Sequence, residues 1–511
     1  MNRFAPFIFL LFLPFLSKAQ QGYQPRYFKD SLSRIEKIRS VKPVVDKLFK
    51  EHAEKNHLPG FVYGIIVDGK LLYTGQLGYT DIEKKTAATT SSAFRIASMS
   101  KSFTAMAIVQ LRDAGRLDLD DAASTYIPQM KGIKYLTTDA PEITIRHLLN
   151  HLGGFPEDNP WGDRQLADKD EELMDLLDGI SFSNVPGISY EYSNTGFALL
   201  GRIITNVSGK PYQQYINENI LIPLGMKNTY WEYKRVPSSE LAHGYRWQHG
   251  KWEEEALLAD GAYGAMGGLI TTLEDFSRYM KLHMEAWPAR SGEENPVLKR
   301  SSLREMHTTG TVSSFNPRYR YPGGRLCATT SLYTYGLGWS MDCEGKTWFG
   351  HSGGLPGFGS NWRLYPEYGI GIVCFANRTY APTSAFNAAV MDTLIRLTGL
   401  QPRVIPVSPV LQAKMDQLVK LLPSFDKAEK SGLFAENFFP DNPLNDLKKL
   451  SASLFAKAGK IRSVGVMKPE NQLRGTFILH GEKGDIHIFF TLSPEPDPLI
   501  QELDMWMGND D

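Results

Sequence analysis

Apolar positions recur along this chain with two different periods, and the switches between them mark its elements. Across residues 31–57, Ile35, Ile38, Val45, Leu48 and Phe49 stand at helical spacing in a polar, charged background, and the pattern ends before Pro59-Gly60. Residues 61–67 and 71–77 are instead rich in β-branched and aromatic side chains and are separated by Asp68-Gly69, a pair suited to a tight hairpin turn. A helix and an antiparallel hairpin are therefore expected first. After Phe94-Arg95-Ile96-Ala97-Ser98, the residues Phe103, Met106, Ala107, Ile108, Val109 and Leu111 are apolar nearly all round, which predicts a buried helix stopped by Gly115.

From there to residue 230 the pattern is loop and helix. Thr144 is placed to cap a short helix through His147 and His151, Pro186-Gly187 to turn the chain, 188–191 to run extended, and 195–207 to form a helix closed by Ser208-Gly209. Another helix is expected over 211–220. Residues 267–270 read as a short strand, Thr271-Thr272-Leu273-Glu274 as a capping box that opens a helix, and 286–332 as irregular. Strand periodicity returns over 336–341, 347–350, 359–365 and 369–375, with Pro366-Glu367-Tyr368 turning the last pair, and a helix follows over 384–397. Strands at both ends with helices between predict an α+β/α/β fold: one antiparallel sheet flanked by helices, completed by both ends of the domain, beside a helical lobe, with a cleft between. Residues 401–409 read as a linker, and beyond them helices at 411–422 and 445–456 and strands at 460–467, 473–480 and 485–492 predict a small α+β domain over 410–511.

Composition narrows the function classes. The 511 residues are 42% hydrophobic and 12% aromatic, as in folded globular chains, and Lys plus Arg and Asp plus Glu both total 56. A net charge of zero without long runs of one sign argues against a nucleic-acid or anionic-membrane surface. Arg3, the apolar stretch 4–16 and Ser17-Lys18-Ala19 predict a cleavable signal peptide over 1–19, a mature chain from about Gln20 and a secreted or periplasmic location; an uncleaved anchor is the alternative. No later segment is apolar for long enough to span a bilayer. Only Cys327, Cys343 and Cys374 are present, which excludes a disulfide scaffold and leaves the pairing of Cys327 with Cys343 open.

Candidate chemistry begins at Ser98. Lys101 lies three residues on, on the same helical face, and a buried lysine of lowered pKa can take the proton that makes a serine hydroxyl nucleophilic. Ser424-Phe425-Asp426-Lys427 repeats the pattern, so spacing alone does not choose between the copies. Tyr-x-Asn occurs at Tyr192-Ser193-Asn194, in a bend before a helix, and at Tyr215-Ile216-Asn217, inside one. His-x-Gly occurs at His151-Leu152-Gly153 and at His351-Ser352-Gly353-Gly354, where a strand leads into glycines. His147 and His151 are four apart but lack a following glutamate and a third ligand, so capping or core roles are expected rather than a metal site.

Taken in order, Ser98-x-x-Lys101, Tyr192-x-Asn194 and His351-x-Gly353 resemble the motifs of the serine β-lactamase and DD-peptidase superfamily, in its class C and esterase-like branch, over roughly residues 40–400. Phe94-Arg95-Ile96-Ala97, His147-Leu148-Leu149-Asn150-His151 with Gly154, and Tyr192-Ser193-Asn194-Thr195-Gly196 with Leu199-Leu200-Gly201 support the resemblance. It implies a β-lactamase-like fold over 20–400, no cofactor and no metal, and a small-molecule or peptide substrate. It further implies that Ser98 forms an acyl-enzyme, that Lys101, with Tyr192 as phenolate, relays the proton, and that Asn194 orients substrate or lysine. The backbone N–H groups of Ser98 and Gly354 would form an oxyanion hole. His351 stands where β-lactamases carry the lysine of Lys-Thr-Gly, as in esterases and D-aminopeptidases. The expected function is a secreted serine hydrolase of an amide, ester or lactam. The changed third motif and the extra domain motivate a second reading, a catalytically weak penicillin-binding-like sensor or binding module, and His147 with His151 a third, a metal-dependent hydrolase. Phe155, Trp161 and 286–332 are placed to line the cleft.

Overall fold

Asp68 and Gly69 both adopt left-handed backbone, with φ of +50° and +75°, and Val67 pairs with Lys70 across them. Positive φ at both central residues is what a two-residue turn needs to match strand twist, so the hairpin of Gly60–Val67 and Lys70–Asp81 forms as its Asp-Gly pair predicts. The computed structural model describes residues 23–159, 161–321 and 324–508. The segment read as a signal peptide lies outside the described residues.

The hairpin joins a nine-stranded sheet in the order Thr86–Ala87, Lys70–Asp81, Gly60–Val67, Ile370–Ala376, Phe358–Tyr365, Thr347–Leu355, Gly338–Asp342, Thr329–Thr334 and Gly310–Asn316. Every neighbouring pair is antiparallel, so the N- and C-terminal parts of this unit do complete one sheet. Alternate residues of Gly60–Val67 point to opposite faces and all eight are buried. Phe61, Tyr63 and Ile65, with Ile372 and Cys374, pack against Ile38, Val45, Phe49 and Met391 of the helices Ser31–Ser40, Lys42–Lys55 and Thr383–Thr398. Val62 and Ile66, with Phe349, Trp362 and Phe375, pack against Phe103, Phe276 and Tyr279 of the helices Lys101–Asp113 and Leu273–Glu285. Each large apolar side chain so buried stabilises the fold by about 1.5–3 kcal/mol.

Several expected elements are corrected. The helical stretch 31–57 is two helices broken at Val41, because Pro43 sits in the first turn of the second and supplies no N–H to continue the first. Only Ile270–Thr271 is strand where 267–270 was expected. Gly264–Gly267 is instead a helical turn folded so tightly that a Cβ on Gly268 would lie 2.6 Å from the Asp260 Oδ1. Thr272, rather than Thr271, caps the next helix by accepting from the Asp275 N–H at 3.2 Å. Residues 286–332 contain the helix Arg300–Thr308 and the strand Gly310–Asn316. Cys327 and Cys343 form a disulfide, and Cys374 is a buried thiol.

The chain divides into two units between Pro402 and Arg403, and among the described residues 23–29 go with the second. There Tyr27 bridges to Val404, and Ser408 caps the helix Pro409–Leu421. This unit has a five-stranded antiparallel sheet of Ile461–Val464, Arg474–Gly481, Asp485–Leu492 and Ile500–Met507, with Lys468–Pro469 beside the second. Leu411, Leu418, Phe477, Ile488 and Phe490 fill its core. Its last strand was not expected from the sequence. Among the described residues no helix is long and apolar enough to cross a membrane.

Candidate active site

Ser98 stands in the 3-10 turn Ala97–Ser100, directly before the helix Lys101–Asp113. Residues three apart eclipse in a 3-10 turn, which brings Lys101 over Ser98. Ala97 has φ of +51°, a left-handed conformation that costs a non-glycine residue about 1–3 kcal/mol and turns the chain sharply just before the hydroxyl. The Lys101 Nζ lies 3.1 Å from Ser98 Oγ, 2.7 Å from Asn194 Oδ1 and 3.0 Å from the Met266 carbonyl. The last two atoms can only accept, so they take two amine hydrogens. In the neutral amine the lone pair is then left for the Ser98 O–H. Lys101 is fully buried, and desolvation pushes its amine down to about 7 against the pull of the Asp163 and Asp158 carboxylates.

The ring of Tyr192 lies 4.9 Å from the Lys101 Nζ. Desolvation raises its phenol well above 10, with Ser98 as a hydrogen-bond partner working the other way. Burial thus favours the phenol over the phenolate in the resting site. Beneath it, at 4.3 Å between rings, lies His151. His151 Nδ1 accepts from the Ser193 N–H at 3.1 Å, and burial moves this imidazole well below its usual range. The Nδ1 of His351 faces the Ser352 carbonyl, an acceptor only, so Nδ1 carries the proton and Nε2 accepts from the Tyr333 hydroxyl at 3.1 Å. Desolvation pushes His351 down to about 3, so it is neutral at neutral pH.

Asn194 opens the helix Asn194–Ser208, whose N-cap Ser193 accepts from the Gly196 N–H at 3.2 Å. The buried Asp158 accepts from the N–H groups of Asn194 at 2.5 Å and Thr195 at 2.8 Å, where a helix N-terminus favours an anion. Asn194 Nδ2 donates to Asn159 at 2.6 Å, which aims its Oδ1 at the lysine. On the opposite side of Ser98 runs the strand Thr347–Leu355. It pairs with Phe358–Tyr365 along 349–355, but with Gly338–Asp342 only as far as Gly338↔Gly350. The edge from His351 to Leu355 is therefore open on that side. A Cβ on Gly353 would lie 2.2 Å from the Ile96 carbonyl and 3.0 Å from the Ala97 Cβ, so only glycine lets this strand close on the serine turn.

The structure thus gathers Ser98, Lys101, Tyr192, Asn194, His351, Gly353 and Gly354 in one cleft. It leaves Ser424 and Lys427 in the other unit and Tyr215 and Asn217 outside the cleft. His147 forms a capping box with Thr144, which occupies its Nδ1. Phe155 and Trp161 line a cavity of about 550 Å³ with Asp158, Ile180 and Thr195, and among the described residues 286–332 line neither it nor the cavity beside His351. Asp158, Asp163, Tyr333 and the Met266 carbonyl were not singled out from the sequence. Asp163 is buried, accepts from the Tyr380 hydroxyl at 3.0 Å, and is pushed up to about 6 by desolvation. Each is tied to the motifs only through space. The tight Gly264–Gly268 stretch before Ile270 was the one local sign, at Met266.

The sequence profile of the family described as "Beta-lactamase" matches residues 45–396. Protein flp of Staphylococcus aureus (strain MW2) is 31% identical over 341 residues, 65% of this chain and 62% of that protein, so the match spans less than two thirds of that relative's length. Beta-lactamase-like protein 2 of Dictyostelium discoideum is 27% identical over 489 residues, 88% of this chain and 83% of that one. Among solved structures, the octameric penicillin-binding protein homologue from Pyrococcus abyssi superposes with a TM-score of 0.57 at 22% identity, covering 91% of this chain and 99% of that one. A class C β-lactamase gives 0.54 at 21% identity, with 72% and 99% covered. The chain belongs to the β-lactamase family, in the serine β-lactamase and DD-peptidase superfamily, and has its fold of a large antiparallel sheet flanked by helices.

Proposed function

We propose that this protein is a serine hydrolase that cleaves an ester or amide of a small molecule or peptide through an acyl-enzyme on Ser98. The observation that carries this reading is the Lys101 amine, fully buried, hydrogen-bonded to two fixed acceptors and 3.1 Å from Ser98 Oγ. Burial lowers the amine far enough for an appreciable fraction to be neutral near pH 7. Neutral Lys101 takes the Ser98 proton as Oγ bonds to the substrate carbonyl carbon, and the carbonyl oxygen becomes an oxyanion. The N–H groups of Ser98 and Gly354 are assigned to hold that oxyanion. Collapse breaks the bond to the leaving group, which takes a proton through the Tyr192 phenol; water then releases the acyl group by the same steps, and Ser98 regains its proton. A histidine at the third motif, where β-lactamases carry the lysine of Lys-Thr-Gly, supports esterase or D-amino-acid and DD-peptidase chemistry over β-lactam hydrolysis through its likeness to that branch.

A secreted or periplasmic location is part of this proposal. The apolar stretch 4–16 before Ser17-Lys18-Ala19 supports it, as does the Cys327–Cys343 disulfide, a bond that persists in oxidising compartments. Incubation with a fluorophosphonate probe tests the chemistry: wild type labels at one site and Ser98→Ala does not. Equal labelling of both would overturn the assignment.

A further inference from the structure

Asp163 is a buried carboxylate that takes no step in the Ser98 chemistry. It stands in the 3-10 turn Gly162–Arg164 and is 2% exposed. Gly162 seats this turn directly on the second motif, since a Cβ there would lie 2.9 Å from the Asn194 Cβ. The Asp163 Oδ2 accepts from the Tyr380 hydroxyl at 3.0 Å, and its Oδ1 is buried without a hydrogen-bond partner. Tyr380 comes from the opposite wall, where a Cβ on Gly354 would lie 2.8 Å from its ring. The Asp163–Tyr380 bond therefore crosses the cleft between Asn194 and the open strand edge. Among the described residues no cation hydrogen-bonds to Asp163. The Lys101 amine lies within reach of its field, but that amine gives its hydrogens to Asn194 and Met266. When Lys101 is neutral, as the proposed chemistry requires, Asp163 has no counter-charge, and an unpaired buried carboxylate is costly. Tyr380, by contrast, is 41% exposed and has a strained φ of +49°, so its side chain is the half of the bond that can swing out.

We infer that Asp163 is a subsite for a cation on the acyl portion of the substrate, an ammonium that displaces the Tyr380 hydroxyl from the carboxylate, as in an aminoacyl ester or amide with a free amine. An ammonium is a charge-assisted donor and binds a carboxylate more strongly than a neutral hydroxyl does. The inference rests on the Ser98 hydrolase reading for its meaning. With the scissile carbonyl at Ser98, the leaving group faces Tyr192, and the acyl portion runs the other way, past Gly354 and beneath Tyr380 to Asp163. The substrate then brings the counter-charge that a neutral Lys101 does not supply.

Matched p-nitroanilides test it: those of D-alanine, L-alanine and β-alanine, each with a free amine, against propionyl p-nitroanilide, which lacks only the amine. Wild type favours at least one ammonium substrate by about tenfold or more in kcat/KM, chiefly through KM. Asp163→Asn brings that ratio to within about threefold of one. Tyr380→Phe, which removes the competing donor from the exposed side, raises it. Each ratio is taken within one protein, so a variant that folds less completely lowers both rates and leaves the ratio readable. A wild-type ratio near one for all three amines, a ratio unchanged in Asp163→Asn, or a fall to one in Tyr380→Phe would overturn the inference. Calorimetric titration of the corresponding aminoacyl amides and of propionamide into Ser98→Ala protein separates this reading from that of the nucleophile. Binding of an ammonium amide in preference to propionamide, lost in Ser98→Ala/Asp163→Asn, supports the subsite whatever the nucleophile, and absence of that preference in Ser98→Ala counts against it.

Discussion

Ser98-Met99-Ser100-Lys101 and Ser424-Phe425-Asp426-Lys427 have the same two reactive residues at the same spacing, in unlike surroundings. In the first, a 3-10 turn runs straight into a helix and stacks the pair, and the lysine is fully buried among two fixed acceptors. In the second, Phe425 and Lys427 both take positive φ, at +52° and +59°, so the chain turns twice and Lys427 no longer sits over Ser424. The Ser424 hydroxyl accepts from the Asp426 N–H at 3.3 Å, and Asp426 pairs with Lys448 at 3.4 Å. A serine with a lysine three residues on becomes a nucleophile and base only when the backbone stacks them and burial lowers the amine.

The largest expected effect breaks the comparison outright if it fails. Ser98→Ala and Lys101→Met each lower kcat/KM for a p-nitrophenyl ester by about 10⁴-fold or more, as for residues that act as one unit. Ser424→Ala and Lys427→Met leave it within twofold; a comparable loss in the second pair would remove the assignment. Gly353→Ala comes next. Its methyl meets the Ile96 carbonyl at 2.2 Å and the Ser360 Oγ at 2.4 Å, pushing the strand edge off the serine turn. A displacement near 1 Å costs about 10²-fold, measured as a fall in kcat with an unchanged circular dichroism spectrum. Tyr192→Phe removes the proposed proton carrier and keeps the ring, so a loss of about 10²-fold is expected. It should be greater for an amide than for an activated ester, because a p-nitrophenolate leaves without a proton; equal losses on both would deny Tyr192 that role.

The lowered amine sets the pH dependence. Lys101 as the proposed base works unprotonated, so kcat/KM is expected to rise with pH through about 7 and to fall tenfold per unit below it. Burial holds His351 and His151 neutral and Tyr192 protonated across that range, so none of them supplies this limb. A profile flat from pH 5.5 to 8 on a neutral ester would show that Lys101 is not the base.

Much of the sheet was legible because its signals are local. Asp68-Gly69 sets a turn, alternation sets strands, and Gly209 closes a helix. The Ser, Tyr and His motifs were legible for the same reason, each being a tripeptide or tetrapeptide with its own setting. Asp158 was not, since it caps a helix 36 residues away from it in sequence, and no local pattern announces such a contact. Tyr333 likewise has its meaning only from strand neighbours. The strand Gly310–Asn316 was missed because an edge strand with exposed Val312 and Phe315 shows no buried face to set a period.

The smallest expected effect concerns stability and sharpens the comparison most finely. An amine moved from 10.5 in the unfolded chain to about 7 in the fold binds fewer protons when folded, so between those values stability rises with pH. The contribution is fully present above 10.5 and is lost as pH falls to 7, at about 1.4 kcal/mol per pH unit. Lys101→Met removes this dependence but leaves the Asn194 Oδ1 and Met266 carbonyl without their donor, a fixed cost of about 1–3 kcal/mol for each. The stability of wild type relative to Lys101→Met should therefore rise by about 2 kcal/mol from pH 7.5 to pH 9, whatever its sign at either end. Exposed Lys427, replaced by Met, should change stability by less than about 0.5 kcal/mol at both values. Urea unfolding of the three proteins at the two pH values measures it. A Lys101→Met difference that does not move with pH would mean that the buried lysine keeps its proton and that the two Ser-x-x-Lys sequences differ in geometry alone.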